Sequence, residues 1–214
     1  MSSPDSVPIK DDAVHMVRRD AAADQRFKLL NELLDESSEG ALGKTQHRVN
    51  NLGQIASMTM PPGFEKGRQS GGTFANNSFR EYHQAETPEV KFYFEYRGSR
   101  MTAASANRFR QTLAQKAHEL TNSELENLQE VLGAKRSSKD DFQINSARTE
   151  DLNGKRVLTV EGRYPRYHLS ARTIFVDSDG SGSAVQEISF QSTTAEFAEK
   201  TALSRKVFNS IKWK

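Results

Sequence analysis

One loop near the end of the chain has the residue types of a calcium-binding site. Asp177, Asp179, Ser181 and Gly182 match the first, third, fifth and sixth positions of an EF-hand loop. Ile188 stands at the twelfth position, where such a loop needs a bidentate glutamate, and the flanking segments have the pattern of strands. We therefore interpret this loop as the polar tip of a hairpin.

No other short motif supplies a catalytic, metal-binding or nucleotide-binding constellation. Gly43-Lys44-Thr45 matches the end of a phosphate-binding loop, but Ser38 stands where the preceding glycine is required. The chain has no cysteine, which excludes disulfides and thiol chemistry. The histidines are scattered without the spacing of metal ligands or a neighbouring nucleophile: His15, His47, His83, His118 and His168. We predict no enzyme, no metal and no cofactor.

The segment Arg163-Tyr164-Pro165-Arg166-Tyr167 has the residue types of a recognition surface. Guanidinium groups bind carboxylates in a bidentate manner, and arginine and tyrosine are enriched at the energetic centres of protein interfaces. Arg163, Tyr164, Arg166 and Tyr167 are therefore our candidate partner-binding residues. The alternative is a structural connection between two strands, with tyrosines covering the sheet edge and arginines in water.

The last third of the chain predicts two hairpins. Asn153-Gly154 tolerates the positive φ angles of a type I′ turn and lies between two alternating segments. A polar loop separates the second pair of segments. The predicted strands are 141–152, 157–160, Leu169–Asp177 and 184–191.

Capping-box patterns mark the starts of helices. Thr193 with Glu196 predicts a closing helix, whose apolar stripe contains Phe197, Leu203, Val207, Phe208 and Ile211. Thr102 predicts the start of a middle helix that continues to Leu120, and Thr121 with Glu124 predicts a second one ending at Gly133.

Three strands are predicted before the middle helices. They cover residues 54–60, which end at Pro61-Pro62-Gly63, residues 73–84, and residues 89–97. The alternation in the third strand predicts one face in the core and one in water. The core side is Val90, Phe92, Phe94 and Tyr96, and the predicted wet side is Lys91, Tyr93, Glu95 and Arg97.

The beginning of the chain is predicted to be separate from the folded domain. Residues 1–10 resemble a disordered start, residues 12–36 have the apolar spacing of a helix, and residues 40–49 are typical of a linker. The helix either packs on its own domain or supports self-association or docking on another protein. We therefore divide the chain into an extension, 1–47, and one domain, 48–214.

These elements predict an α+β fold. Its antiparallel sheet of about six or seven strands is covered by helices on its faces, with the N-terminal helix as an extension. The chain has 30 basic and 28 acidic residues, and 24 and 19 of them follow residue 47. This excess is too small to predict nucleic-acid binding. No apolar run approaches the ~20 residues of a membrane span, so we expect a soluble cytoplasmic protein, or an exported one if a signal peptide was removed.

Residues 48–214 resemble the PsbP-like superfamily, which includes a Ran-binding import factor and many uncharacterised bacterial proteins. The resemblance rests on the strand and turn at residues 58–64, the helical insertion at 102–133, the Asn153-Gly154 hairpin and the ending Asn209-Ser-Ile-Lys-Trp213. It implies a curved antiparallel sheet between helices, no enzymatic residues and a role in protein binding. We expect a protein-binding module. The alternative is a small-ligand or lipid pocket between sheet and helices, lined by Phe92, Phe94 and Phe109.

Overall fold

The computed structural model describes residues 46–71, 78–99, 101–133 and 142–214, which form ten strands and four α-helices. Within these ranges the strands and helices are β1 (His47–Leu52), β2 (Ile55–Met60), β3 (Phe64–Ser70), β4 (Ser78–Gln84), β5 (Thr87–Ser99), α1 (Ala103–Ala114), α2 (Asn122–Asn127), α3 (Gln129–Leu132), β6 (Gln143–Leu152), β7 (Lys155–Tyr164), β8 (Leu169–Asp177), β9 (Ala184–Thr193), α4 (Phe197–Asn209) and β10 (Lys212–Trp213).

The main sheet has seven antiparallel strands in the order β3-β4-β5-β9-β8-β7-β6. Two runs of neighbouring strands, β3 to β5 and β6 to β9, meet at the pair β5–β9. Phe92 lies opposite Phe190 in this pair, with ring centroids 5.0 Å apart. The predicted antiparallel α+β class is confirmed, and seven strands lie within the predicted number. The set of strands differs from the prediction, because the predicted strand 54–60 belongs to a second sheet that was not predicted, and β3 belongs to the main one.

A second sheet, in the order β1-β2-β10, packs on the main sheet. The buried side chain of Gln186, in β9, holds the turn between β1 and β2. Its Nε2 donates to the Leu52 carbonyl at 3.0 Å, and its Oε1 accepts from the Gln54 backbone N–H at 2.7 Å. Gly53 permits this contact, since it has a φ of +57° and a Cβ there would lie 2.4 Å from Gln186 Oε1.

Two hydrophobic cores lie on opposite faces of the main sheet. The first joins the small sheet and α4 to residues such as Phe92, Phe94 and Phe190. The second joins α1, α2 and α3 to β6–β9, and among the described residues it takes no member from β3, β4 or β5. The two covering layers are therefore offset along the sheet, and each face is polar beyond its core.

The middle helices begin as the sequence predicts. Thr102 caps α1, and Thr121 with Glu124 forms both bonds of a capping box at α2. The predicted length of α1 is wrong, because it ends at Ala114. Residues 118–120 instead pair with the edge of β6, through the Leu120 amide and the Ala147 carbonyl at 2.8 Å. The backbone groups of residues 118–120 therefore form hydrogen bonds with the edge strand β6 and do not continue the helix.

The Asn153-Gly154 turn also anchors the closing helix. Asn153 has a φ of +53°, and its amide nitrogen is 3.2 Å from the Phe208 carbonyl and 2.9 Å from the Ile211 carbonyl. These bonds satisfy carbonyls at the end of α4. The start of α4 differs from the prediction, since Thr193 ends β9 and its hydroxyl bonds Glu196 in the turn before the helix.

Several other predictions need correction or lie outside the described residues. The linker assigned to residues 40–49 is wrong at its end, because His47 begins β1. The strand β3 and the short β10 were not predicted. The wet face assigned to β5 is wrong, because Lys91 is buried and Tyr93, Glu95 and Arg97 are half-buried. Residues 1–10, the helix at 12–36 and residues 73–77 lie outside the described ranges.

We expect Phe208→Ala and Ile211→Ala each to lower the free energy of unfolding by about 2–5 kcal/mol. Both side chains are only 2% exposed in the first core, so truncation removes apolar contacts and leaves a cavity. Urea unfolding followed by Trp213 fluorescence measures the change. Lys206→Ala, on the exposed side of α4, is the control, and costs below about 0.5 kcal/mol at both core positions would contradict the packing described.

A pair of substitutions separates the two roles of Asn153. Asn153→Gly keeps the positive φ and removes the bonds to α4, for an expected cost of about 1 kcal/mol. Asn153→Ala also places a Cβ at a positive φ, so it should cost about 1 kcal/mol more. Equal thermal stability of the two variants would show that the side-chain bonds alone matter.

Candidate partner-binding face

A short turn connects β7 to β8 and carries Arg166 and Tyr167, while Arg163 and Tyr164 are the last two residues of β7. Pro165–Tyr167 forms a single 3₁₀ turn with proline at its start. His168 then adopts a left-handed conformation with a φ of +54°, and its carbonyl accepts a hydrogen bond from the Thr194 backbone at 2.7 Å. The ring of Pro165 and the bond to Thr194 hold the backbone of the turn in one conformation.

The four predicted residues have different environments. Arg163 is exposed, and its Nε donates to Gln143 Oε1 at 3.0 Å. Arg166 is also exposed, with its guanidinium 5.7 Å from the ring centroid of half-buried Tyr167. Tyr164 packs against Phe142 beside the second core, with ring centroids 4.7 Å apart. Arg163, Arg166 and Tyr167 are therefore at the surface of this turn, whereas Tyr164 mainly supports it.

A charged surface that the sequence analysis missed extends from Arg163 along β6, β7 and β8. Its side chains point to the same face as α4, because residues two apart in a strand share a face. The surface contains three arginines and two glutamates, and we call it the arginine–glutamate face. Its members are Arg148, Glu150, Glu161, Arg163 and Arg172.

Glu150 is the centre of this network. Its Oε1 accepts a hydrogen bond from Thr159 Oγ1 at 2.5 Å and is 3.4 Å from Arg172 Nη2, while its Oε2 is 3.1 Å from Arg148 Nε. Burial alone would raise the pKa of Glu150. The Thr159 bond and the charges of Arg148 and Arg172 outweigh burial and hold this pKa below its ordinary value.

Arg172 is the buried base of the same network. It is only 8% exposed, lies 5.9 Å from the Phe208 ring centroid, and has its Nε 3.4 Å from Glu161 Oε1. Burial lowers the pKa of this guanidinium and the carboxylates of Glu161 and Glu150 oppose the shift. Its Nη1 is buried and has no hydrogen-bond partner among the residues that the structure describes. Packing against Phe208 of α4 holds the Arg172 guanidinium in place, and this guanidinium in turn positions the carboxylates of Glu150 and Glu161.

The sequence contained a signal for part of this surface. A two-residue turn at Asn153-Gly154 fixes the register of β6 against β7, which places Arg148 opposite Thr159 and Glu150 opposite Val157. The same-face charges in β6 follow from that register. Arg172 could not be placed this way, because the longer β7–β8 connection does not specify a register by its length alone.

The other candidate sites do not assemble in the described residues. Phe92 and Phe94 are fully buried in the first core, whereas Phe109 is fully buried in the second, so these rings do not line one pocket. Asp177 accepts backbone bonds from Gly180 and Gly182 at 3.0–3.1 Å, so the loop bonds to itself. In the described ranges, no three His, Asp or Glu side chains are grouped as metal ligands.

Comparison with solved structures identifies the fold. The solution structure of cyanobacterial PsbP (CyanoP) from Synechocystis sp. PCC 6803 is similar over 85% of this chain and 99% of that chain, with a TM-score of 0.50 and 11% identity. This chain has a PsbP-like fold. The resemblance inferred from the sequence is thereby confirmed for the architecture.

A second structure, with lower similarity to this chain, is PA94, a Pseudomonas aeruginosa protein of unknown function. It covers 79% of this chain and 96% of its own, with a TM-score of 0.46 and 13% identity. No protein-family model and no curated protein sequence matches the chain. Within its described part, the chain has no helix long and apolar enough to cross a membrane.

We expect Glu150→Gln to lower the free energy of unfolding by about 1–3 kcal/mol at pH 7, because the amide loses the charge that binds Thr159 and two arginines. The depressed pKa of Glu150 means that its contribution is present above the unfolded pKa of about 4.3 and is lost as pH falls through the folded pKa.

Urea unfolding of both proteins between pH 7 and pH 3 tests this expectation. The difference between wild type and Glu150→Gln should shrink below about pH 4.3. Glu126→Gln, which changes an exposed glutamate on α2, is the control and should show little difference at either pH. A constant difference across the range would contradict a role for the Glu150 charge.

Proposed function

We propose that this chain is a non-enzymatic protein-binding module whose contact surface is the β7–β8 turn with Arg163, Tyr164, Arg166 and Tyr167. The observation that carries the proposal is the exposure of Arg163 at the end of β7 and of Arg166 in the turn that follows, with Tyr167 partly exposed beside Arg166. Tyr164 supports that turn from the core side.

The rigidity of the turn favours binding. A surface that is already ordered loses little conformational entropy when a partner docks. Pro165 and the Thr194 bond to His168 order this backbone in the free protein. Arginine and tyrosine then offer bidentate donors and flat apolar area, which dominate the energetics of many interfaces.

The packing of the cores supports binding at a surface over binding in an interior pocket. The aromatic rings proposed for a ligand pocket are packed against other side chains, with Phe92 beside both Phe190 and Phe208. The PsbP-like fold does not specify a function, because one fold hosts many functions.

The proposed partner is another protein. Self-association through the predicted helix at residues 12–36 is a separate proposal, which light scattering tests.

We expect Arg166→Ala and Tyr167→Ala each to weaken capture of a protein partner by about 2 kcal/mol, while costing under about 0.5 kcal/mol of stability. The full-length chain is immobilised, exposed to lysate of its source cells, and the bound proteins are quantified at matched amounts of folded protein. Arg110→Ala, an exposed arginine on α1, is the control.

The outcome depends on separating binding from stability. Arg110→Ala should leave capture unchanged, since α1 covers the opposite face of the main sheet. If the turn variants lower the unfolding free energy and capture is the same as for wild type, these side chains are structural and the proposed surface is wrong.

A further inference from the structure

We propose that the arginine–glutamate face binds an acidic segment of a partner protein. This inference rests on the proposed function and names the chemistry of the partner. The face is continuous with the β7–β8 turn, because Arg163 is the last charged residue of β7 and Arg166 follows it in the turn. Arg205, exposed on α4, adds a further guanidinium near this face, since its charge lowers the pKa of Arg172.

The carboxylates of this face are already used within the protein. Both oxygens of Glu150 have close partners, namely Thr159 and Arg172 on Oε1 and Arg148 on Oε2. Glu161 faces Arg172 at 3.4 Å. Glu150 therefore offers a partner little free acceptor capacity, and the charge of Glu161 is partly neutralised by Arg172.

The guanidinium groups keep spare donors. An arginine has five N–H donors, and among the described residues Arg148 and Arg163 each direct Nε to one acceptor. Arg172 is more than nine-tenths buried, and within the described ranges its Nη1 has no hydrogen-bond partner. The remaining donors of Arg148 and Arg163, which are at least partly exposed, are available to an anionic ligand, whereas Arg172 Nη1 is too deeply buried to be reached.

The pattern of charges favours carboxylates of a peptide over a nucleic acid. Glu150 and Glu161 lie between the arginines, so a continuous chain of phosphates would meet like charges on this face. Separate acidic side chains can bind the outer arginines, Arg148, Arg163 and Arg205, and avoid the glutamates. Arginine also binds a carboxylate in a planar bidentate pair that lysine cannot form.

The test uses a fluorescein-labelled peptide of alternating glutamate and serine, and a matched peptide with glutamine in place of glutamate. Fluorescence anisotropy measures binding to the full-length chain at low salt, with a labelled oligothymidine as the nucleic-acid arm. The variants are Arg148→Gln, Arg163→Gln and Arg205→Gln, which leave buried Arg172 and both glutamates intact. Arg110→Gln is the matched control, and thermal melts confirm that each variant is folded.

We expect the acidic peptide to bind and the glutamine peptide to bind at least about tenfold more weakly. Each single variant should weaken acidic-peptide binding about threefold, and the double variant Arg148→Gln/Arg205→Gln about tenfold, since exposed ion pairs contribute modestly. Arg110→Gln should have no effect. Higher salt should weaken the binding, because the contacts are partly exposed.

Three results would overturn the inference. They are equal binding of the two peptides, tighter binding of the oligothymidine than of the acidic peptide, and equal losses from Arg110→Gln and the face variants. If capture in the lysate assay depends on Arg166 and Tyr167 while any of these results holds, the proposed function stands and the acidic partner is wrong. If Arg148→Gln and Arg205→Gln weaken peptide binding while Arg166→Ala and Tyr167→Ala leave lysate capture unchanged, the acidic partner stands and the turn is not the contact surface.

Discussion

The pairing of β5 with β9 is the constraint on which the rest of this structure depends. It joins two runs of strands that the middle helices separate in the chain, and closing so long a loop costs conformational entropy. Burial of aromatic rings offsets that cost. Phe92 contacts Phe64, Phe190 and Phe208 with centroid separations of 5.0–5.9 Å, so one side chain links two strand runs and the closing helix. Loss of this pairing would separate the sheet into halves.

The offset of the two covering layers explains where charged residues can lie on the sheet. The first core ends along β7 at Val157, and the same face continues with Thr159, Glu161 and Arg163. Arg172 lies at the boundary, with Phe208 beside its guanidinium and the carboxylates of Glu150 and Glu161 around it. A buried cation is tolerated there because opposite charges surround it. Arg172 thus connects the edge of the first core to the charged face and holds the two glutamates in position.

The similarity to cyanobacterial PsbP concerns the architecture, and the proposed recognition surface belongs to this chain's own residues. At 11% identity, a shared sheet and helix arrangement says little about which side chains are presented. The turn and the arginine–glutamate face are built from local features of β6, β7 and β8. Their chemistry therefore depends on the contacts of Arg163, Glu150 and Arg172 in this chain.

The sequence by itself determined the elements whose causes are local. The Asn153-Gly154 turn, the capping box at Thr121, the limits of β8 and the class of fold follow from turn chemistry, capping and periodicity, which act over a few residues. Only the tertiary structure decided that Asn153 holds the end of α4, that residues 118–120 leave the helical pattern to pair with β6, and that Lys91 is buried. The tertiary structure also decided the arginine–glutamate face, because the order of β6, β7 and β8 brings Arg172 next to Glu150. Periodicity within one segment does not specify contacts between strands.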